Sequence, residues 1–148
     1  MTKFTGCVLE YSDERIAALM REYERYIASC SYVRMSDAFN HIVNQPCPRF
    51  WVSNFRATVV IARMIKGQGK LKNMHPAKRE MYQEIFRRAS AMRQKYPEKS
   101  LYRIVSEVVQ QPAPKFYLSA SSAKIMFYKA KKEWYGRKQK YLLRNNLK

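Results

Sequence analysis

Ser121, Lys124, Tyr128, Lys131, Lys132 and Tyr135 follow one another at intervals of one to four residues near the end of the chain. On a helix that turns about 100° per residue they share a narrow arc, opposite Ala123 and Phe127. Ammonium groups neutralise phosphates, and phenol rings set between them stack or hydrogen-bond, so this pattern suits contact with a nucleic acid. Arg137 and Lys138 carry the same charge just beyond. The competing reading is a solvated lysine face with two snorkelling tyrosines. Arg49 and Lys115 each stand before a phenylalanine in a Pro-x-Pro turn, beside an expected helix N-terminus whose free N–H groups suit a phosphate. Against that stands a lone exposed basic residue in each turn.

Other chemistry finds little support. There is no Walker phosphate loop, no G-x-S-x-G and no H-E-x-x-H. His41 and His75 have no motif partner. Cys30, His41 and Cys47 have no zinc-site spacing. Cys7, Cys30 and Cys47 are odd in number and lack a C-x-x-C pair, so they read as ordinary thiols and not as a disulfide framework. No catalytic residue, metal ligand or cofactor is assigned, and a non-enzymatic protein is expected.

Charge points the same way. The formal net charge is +18. Residues 1–74 hold 11 Lys/Arg against 6 Asp/Glu, and residues 75–148 hold 18 against 5, so the second half carries +13 of the total. A folded core bearing this much charge repels itself, and a polyanionic partner is the usual reason to tolerate that. With 47% hydrophobic residues the chain has the apolar content to fold, and with only 4 glycines it does not read as a turn-rich β protein. No run of about 18 apolar residues suggests a membrane span, and no signal-peptide core precedes the first polar cluster. No membrane association and a cytoplasmic location are expected.

The elements that must position these residues are set by a duplication. Gln45-Pro46-Cys47-Pro48-Arg49-Phe50-Trp51-Val52-Ser53 returns as Gln111-Pro112-Ala113-Pro114-Lys115-Phe116-Tyr117-Leu118-Ser119, an offset of 66 residues. Apolar residues at helical spacing predict a helix over 13–30, one over 34–45 ended by Pro46, and one over 53–66 capped by Ser53. The second half repeats the plan, with Trp134 extending the inner stripe of a last helix that runs to about Tyr141. The expected fold class is all-α: two tandem three-helix, helix-turn-helix-like repeats, each around a small core, that pack together because units of roughly 60 residues are only marginally stable alone. The expected boundaries are an N-terminal arm over 1–12, a first repeat over 13–66, a basic Gly-bearing linker over 67–76, a second repeat over 77–141 and a basic tail over 142–148. Phe50 and Phe116 should plug the core and anchor each turn on the first helix of its own repeat.

Helix, Pro-bearing turn and a helix with an N-cap Ser and an inward Ala resemble a helix-turn-helix. Tandem three-helix units of this kind resemble the repeats of Myb-type and homeodomain-like proteins. The resemblance implies that the third helix enters the major groove with its N-terminal residues at the bases. It departs in the turn, which spans seven residues from Pro46 to Val52 where three or four are usual. The P-A-P-K-F-Y-L-S string is also similar to uncharacterised short basic proteins of Bacteroidetes and their phages, a likeness that implies no activity.

These readings lead to a protein that binds double-stranded DNA through the third helix of its second repeat. In the alternative with RNA or a single strand, Trp51, Tyr117, Tyr128 and Tyr135 are the stacking platforms. In a third reading the chain is a structural or adaptor subunit of a phage or mobile-element nucleoprotein particle, in an infected cell or a virion. There Phe55, Thr58, Val59 and Ala62, an apolar face on the third helix of the first repeat, meet another protein or a second copy.

Overall fold

Asp13 and Glu14 favour a helix start because their charges face the positive end of the helix dipole, and helix α1 runs Ser12–Ser29. The computed structural model describes residues 11–67 and 71–146. The arm assigned to residues 1–12 therefore lies outside the described residues as far as residue 10. Neither Ser12 nor Asp13 caps α1; Tyr11 holds that position, without a side-chain cap bond.

Helix α2 spans Met35–Val43, and Pro46 follows soon after. Helix α3, Asn54–Ile65, starts at Ser53, whose hydroxyl accepts the Arg56 N–H at 3.1 Å. It ends where Gly67 takes a φ of 71°, a left-handed turn that a residue without Cβ adopts at no steric cost. The described part of the linker includes a 3-10 turn, Leu71–Asn73. Helix α4, Pro76–Lys95, carries proline in its first turn, and the Ala77 N–H donates to His75 Nδ1. Helix α5 spans Leu101–Val109 under a Ser100 cap, and α6 runs Ala120–Asn146. The expected helix end at Tyr141 and the separate tail from 142 are corrected: α6 continues five residues further. Among the described residues the structure is all-helical, with one isolated antiparallel bridge, Cys47 to Ala113.

The helices do not pack as two closed three-helix bodies. Helix α3 lies against α4 and α5, while α6 lies against α1 and α2. Each half therefore lends its third helix to the first two helices of the other. The Pro-x-Pro turns cross at the centre. Cys47 and Ala113 exchange N–H···O bonds of 3.0 and 2.9 Å. Phe50 N–H donates to Val109 O and Phe116 N–H to Val43 O, each at 3.0 Å. The physical reason lies in the turn. Seven proline-stiffened residues, bent at Pro48–Arg49 and again at Trp51–Val52, carry the third helix away from α2, where a three- or four-residue turn would fold it back.

Phe50 and Phe116 are buried as expected, at 0% and 2% exposure. Phe50 also makes contacts in the second half of the chain. Its ring stacks with Tyr117 at 5.8 Å, and the Arg88 guanidinium of α4 lies 5.1 Å from its centroid. Arg88 also donates to Glu84, Gln111 Oε1 and Pro112 O, which ties α4 to the second turn. Around α6, Phe127 packs on Tyr23 of α1 at 4.4 Å and on Phe39 of α2 at 5.5 Å.

Two buried acids of the crossing make stability depend on alkaline pH. Burial, and then the Glu84 carboxylate, push the Tyr117 phenol up to about 12, and burial pushes the Cys47 thiol up to about 11. Both groups stay protonated in the fold at a pH where the unfolded chain has already ionised them. Stability is thus undiminished below about pH 9 and falls through about pH 12. Urea unfolding of Tyr117→Phe and the parent should show the parent losing ground between about pH 10 and 12. A constant difference across that window would show that Tyr117 titrates normally.

Candidate nucleic-acid interface

Helix α6 begins under Ser119, whose Oγ accepts the Ser122 N–H at 3.1 Å. Its first third is fixed by Ala123 and Phe127, at 0% and 4% exposure, pressed into α1 and α2. This orientation leaves the basic and tyrosine arc at the surface. Ser121, Lys124, Tyr128, Lys131, Lys132 and Tyr135 are all exposed, as the spacing predicts. Tyr128 leans on the body, 6.2 Å from Phe39 and 5.7 Å from Phe127, with its ring still 41% exposed. From Arg137 to Asn145 every described side chain is exposed, so the end of α6 stands clear of the other described helices. At about 1.5 Å per residue the helix is roughly 40 Å long.

The field along this helix is one-signed. Lys129, Lys131, Lys132, Arg137, Lys138, Lys140 and Arg144 face a single acid, Glu133, which meets Arg137 at 4.0 Å. Lys138 lies 5.0 Å over the Trp134 ring. An exposed pair like Glu133 and Arg137 offsets little of the charge.

Arg49 and Lys115 meet at the crossing of the turns, where the Cys47 thiol donates to both backbone carbonyls, and each side chain is engaged locally. Arg49 donates to Phe50 O and Val52 O and lies 3.9 Å over the Tyr11 ring. Lys115 pairs with Glu80 at 2.9 Å. Both side chains serve the fold, which weakens their reading as phosphate ligands. On α3 the apolar face is smaller than its sequence suggests. Phe55 is 70% exposed, while Thr58, Val59 and Ala62 are half-buried.

Trp51 and Tyr117 are buried in the crossing, at 7% and 8% exposure, so neither serves as a stacking platform. Trp134, which its spacing places on the inner stripe, is instead 52% exposed. The stripe continues past the point where α1 and α2 can cover it. Its neighbour Tyr135 sits at 5.1 Å in an edge-to-face arrangement. Trp134 is the exposed aromatic that sequence periodicity misassigned; the signal that marks it is the density of lysine and arginine around it. His41 stacks beside Tyr26, and His75 caps α4, so each histidine has a local structural role.

Comparison with models of known protein families, with curated proteins and with solved structures finds no match.

Proposed function

We propose that this chain is a non-enzymatic protein that binds double-stranded DNA, with α6 as its contact surface. The observation that carries the reading is a long helix, basic along its exposed length, whose end no other described helix covers. A helix with side chains is about 10–12 Å across, which the major groove of B-form DNA, about 12 Å wide, admits. The deep, narrow major groove of A-form RNA does not admit it, and this favours DNA over double-stranded RNA. Ser121, Lys124, Tyr128, Lys131, Lys132 and Tyr135 form the docked arc, and Arg137, Lys138 and Arg144 add phosphate contacts.

The duplication belongs to this reading. We infer that the halves are copies of one three-helix unit that exchange their third helices. Helices α2 and α5, and likewise α3 and α6, start 66 residues apart, as do the capping serines Ser53 and Ser119. The two copies have diverged, because the arc that is basic on α6 is largely apolar on α3. Phe55, 70% exposed at the start of α3, supports a second role for that face as a protein contact, including self-association.

The test is the variant with Lys124, Lys131 and Lys132 all changed to Ala. Each phosphate neutralised adds about −0.9 to the slope of log K against log salt, so the variant should flatten the slope by roughly 2–3 and bind duplex DNA about 100-fold more weakly near 0.15 M salt. Its melting temperature should change little, since all three side chains are exposed. Unchanged binding to duplex and single strands across a salt titration would remove α6 as the surface and leave the protein-contact role of α3 as the better reading.

A further inference from the structure

Where α6 leaves the helical body, it and α1 form a groove of about 450 Å³ whose apolar lining is Met20, Tyr23, Phe127, Trp134 and Tyr135. Its charged members are Glu24 and Lys131. Tyr23 and Phe127, 4.4 Å apart, are anchored in the body, and the Tyr23 hydroxyl donates to Met35 Sδ at 3.6 Å. Trp134 and Tyr135, both about half exposed, stand over them from the departing helix. Four aromatic rings thus surround a cleft that opens on the most basic part of the molecule.

We propose that this groove takes one unpaired nucleobase of a DNA strand whose phosphates run along the lysines of α6. The proposal rests on the reading of α6 as the DNA-contact surface and adds the form of DNA preferred: a duplex with an extruded, bulged or overhanging base. Every base has a π face that stacks on aromatic side chains irrespective of sequence. The cleft has the composition of a small-ligand site, an apolar bed with few polar groups. Glu24 accepts hydrogen bonds from a base edge, and Lys131 stands where a nucleotide's own phosphate would need a cation. Charge decides against a second copy's α6 as occupant, because two such helices side by side would set their lysines and arginines against each other.

Trp134 makes the test direct, since the other tryptophan, Trp51, is buried. The full chain is titrated with a paired DNA duplex, with the same duplex carrying one unpaired thymidine, and with an abasic unit at the bulge. Tryptophan fluorescence and the anisotropy of labelled DNA are both read. The bulged duplex should quench Trp134 and bind about tenfold more tightly than the paired one, and the abasic bulge should behave as the paired duplex. Trp134→Ala should erase that preference while holding paired-duplex affinity within about twofold, and Trp134→Phe, which keeps a ring, should restore the preference. Equal quenching by paired, bulged and abasic DNA would overturn the proposal, as would a preference that survives Trp134→Ala. A fluorescence change on raising protein concentration alone, with a dimer in sedimentation, would give the groove to a second copy and also overturn it. Salt-dependent binding to all three probes without a base preference would sink this proposal and spare the reading of α6. Absence of salt-dependent binding to any probe would remove both.

Discussion

Cleaved at a protease site placed between Gly67 and Leu71, the protein should stay in one piece, with both fragments folded together and neither folded alone. Helix α3 belongs to the first fragment but lies on α4 and α5 of the second, and α6 belongs to the second but lies on α1 and α2 of the first. Pulling the fragments apart strips the partners from Ala57, Val60 and Ile61, all at or below 3% exposure, and from Ala123 and Phe127. Each large apolar side chain stripped costs about 1.5–3 kcal/mol. The central bonds, Cys47 with Ala113, Phe50 with Val109 and Phe116 with Val43, break with them. A unit of roughly 60 residues has little stability to spare against such a loss. The nicked protein should therefore run at full mass in gel filtration, and its melting temperature should become dependent on concentration. Fragments that separate while each stays helical would show that the halves close on themselves.

Phe50→Ala should lower the unfolding free energy by about 3–5 kcal/mol, the cost of removing a large ring from a site that cannot collapse. Phe50 has no exposed surface, its ring stacks on Tyr117, and the Arg88 guanidinium lies over it. Its surroundings are also stiff. Tyr117 holds a φ of 57°, an uncommon left-handed conformation for a bulky side chain, and relies on its packing to keep it. Two prolines brace each turn. With the ring gone, Arg88 keeps its bonds to Glu84 and Pro112 but faces a void. Urea unfolding with near-equal m-values for parent and variant measures the loss. A change below about 1 kcal/mol would mean that the crossing relaxes around the vacancy.

Local signals proved legible to different depths. Serine placed the start of α3, and through the repeated motif that of α6, within a residue or so, because capping acts on the nearest few residues. Apolar spacing identified Phe39, Ile42, Ala57, Ile61 and Phe127 as buried, since a helix face must be covered to be stable. The same rule failed at Trp134 and Ile27. Periodicity tells which side of a helix faces inward but not how far along the helix a partner extends. Arg49 and Lys115 looked free because a sequence does not show that backbone carbonyls and Glu80 lie within reach of them.

By itself the sequence determined that the chain is helical, where several helices start, that a nine-residue pattern recurs 66 residues on, and that positive charge gathers in the second half of the chain. All of these depend on residue identity and spacing within a few turns of chain. Only the tertiary structure decided which helix covers which. The placing of α3 on α4 and α5, and of α6 on α1 and α2, turns on the reach and direction of two proline-stiffened turns and on the bonds that join them, Cys47 with Ala113, Phe50 with Val109 and Phe116 with Val43. It is that packing which seats α6 on α1, opens the aromatic groove at Trp134, and leaves the rest of the basic helix uncovered by any other described helix. Burial is a property of two surfaces, and a sequence shows them one at a time.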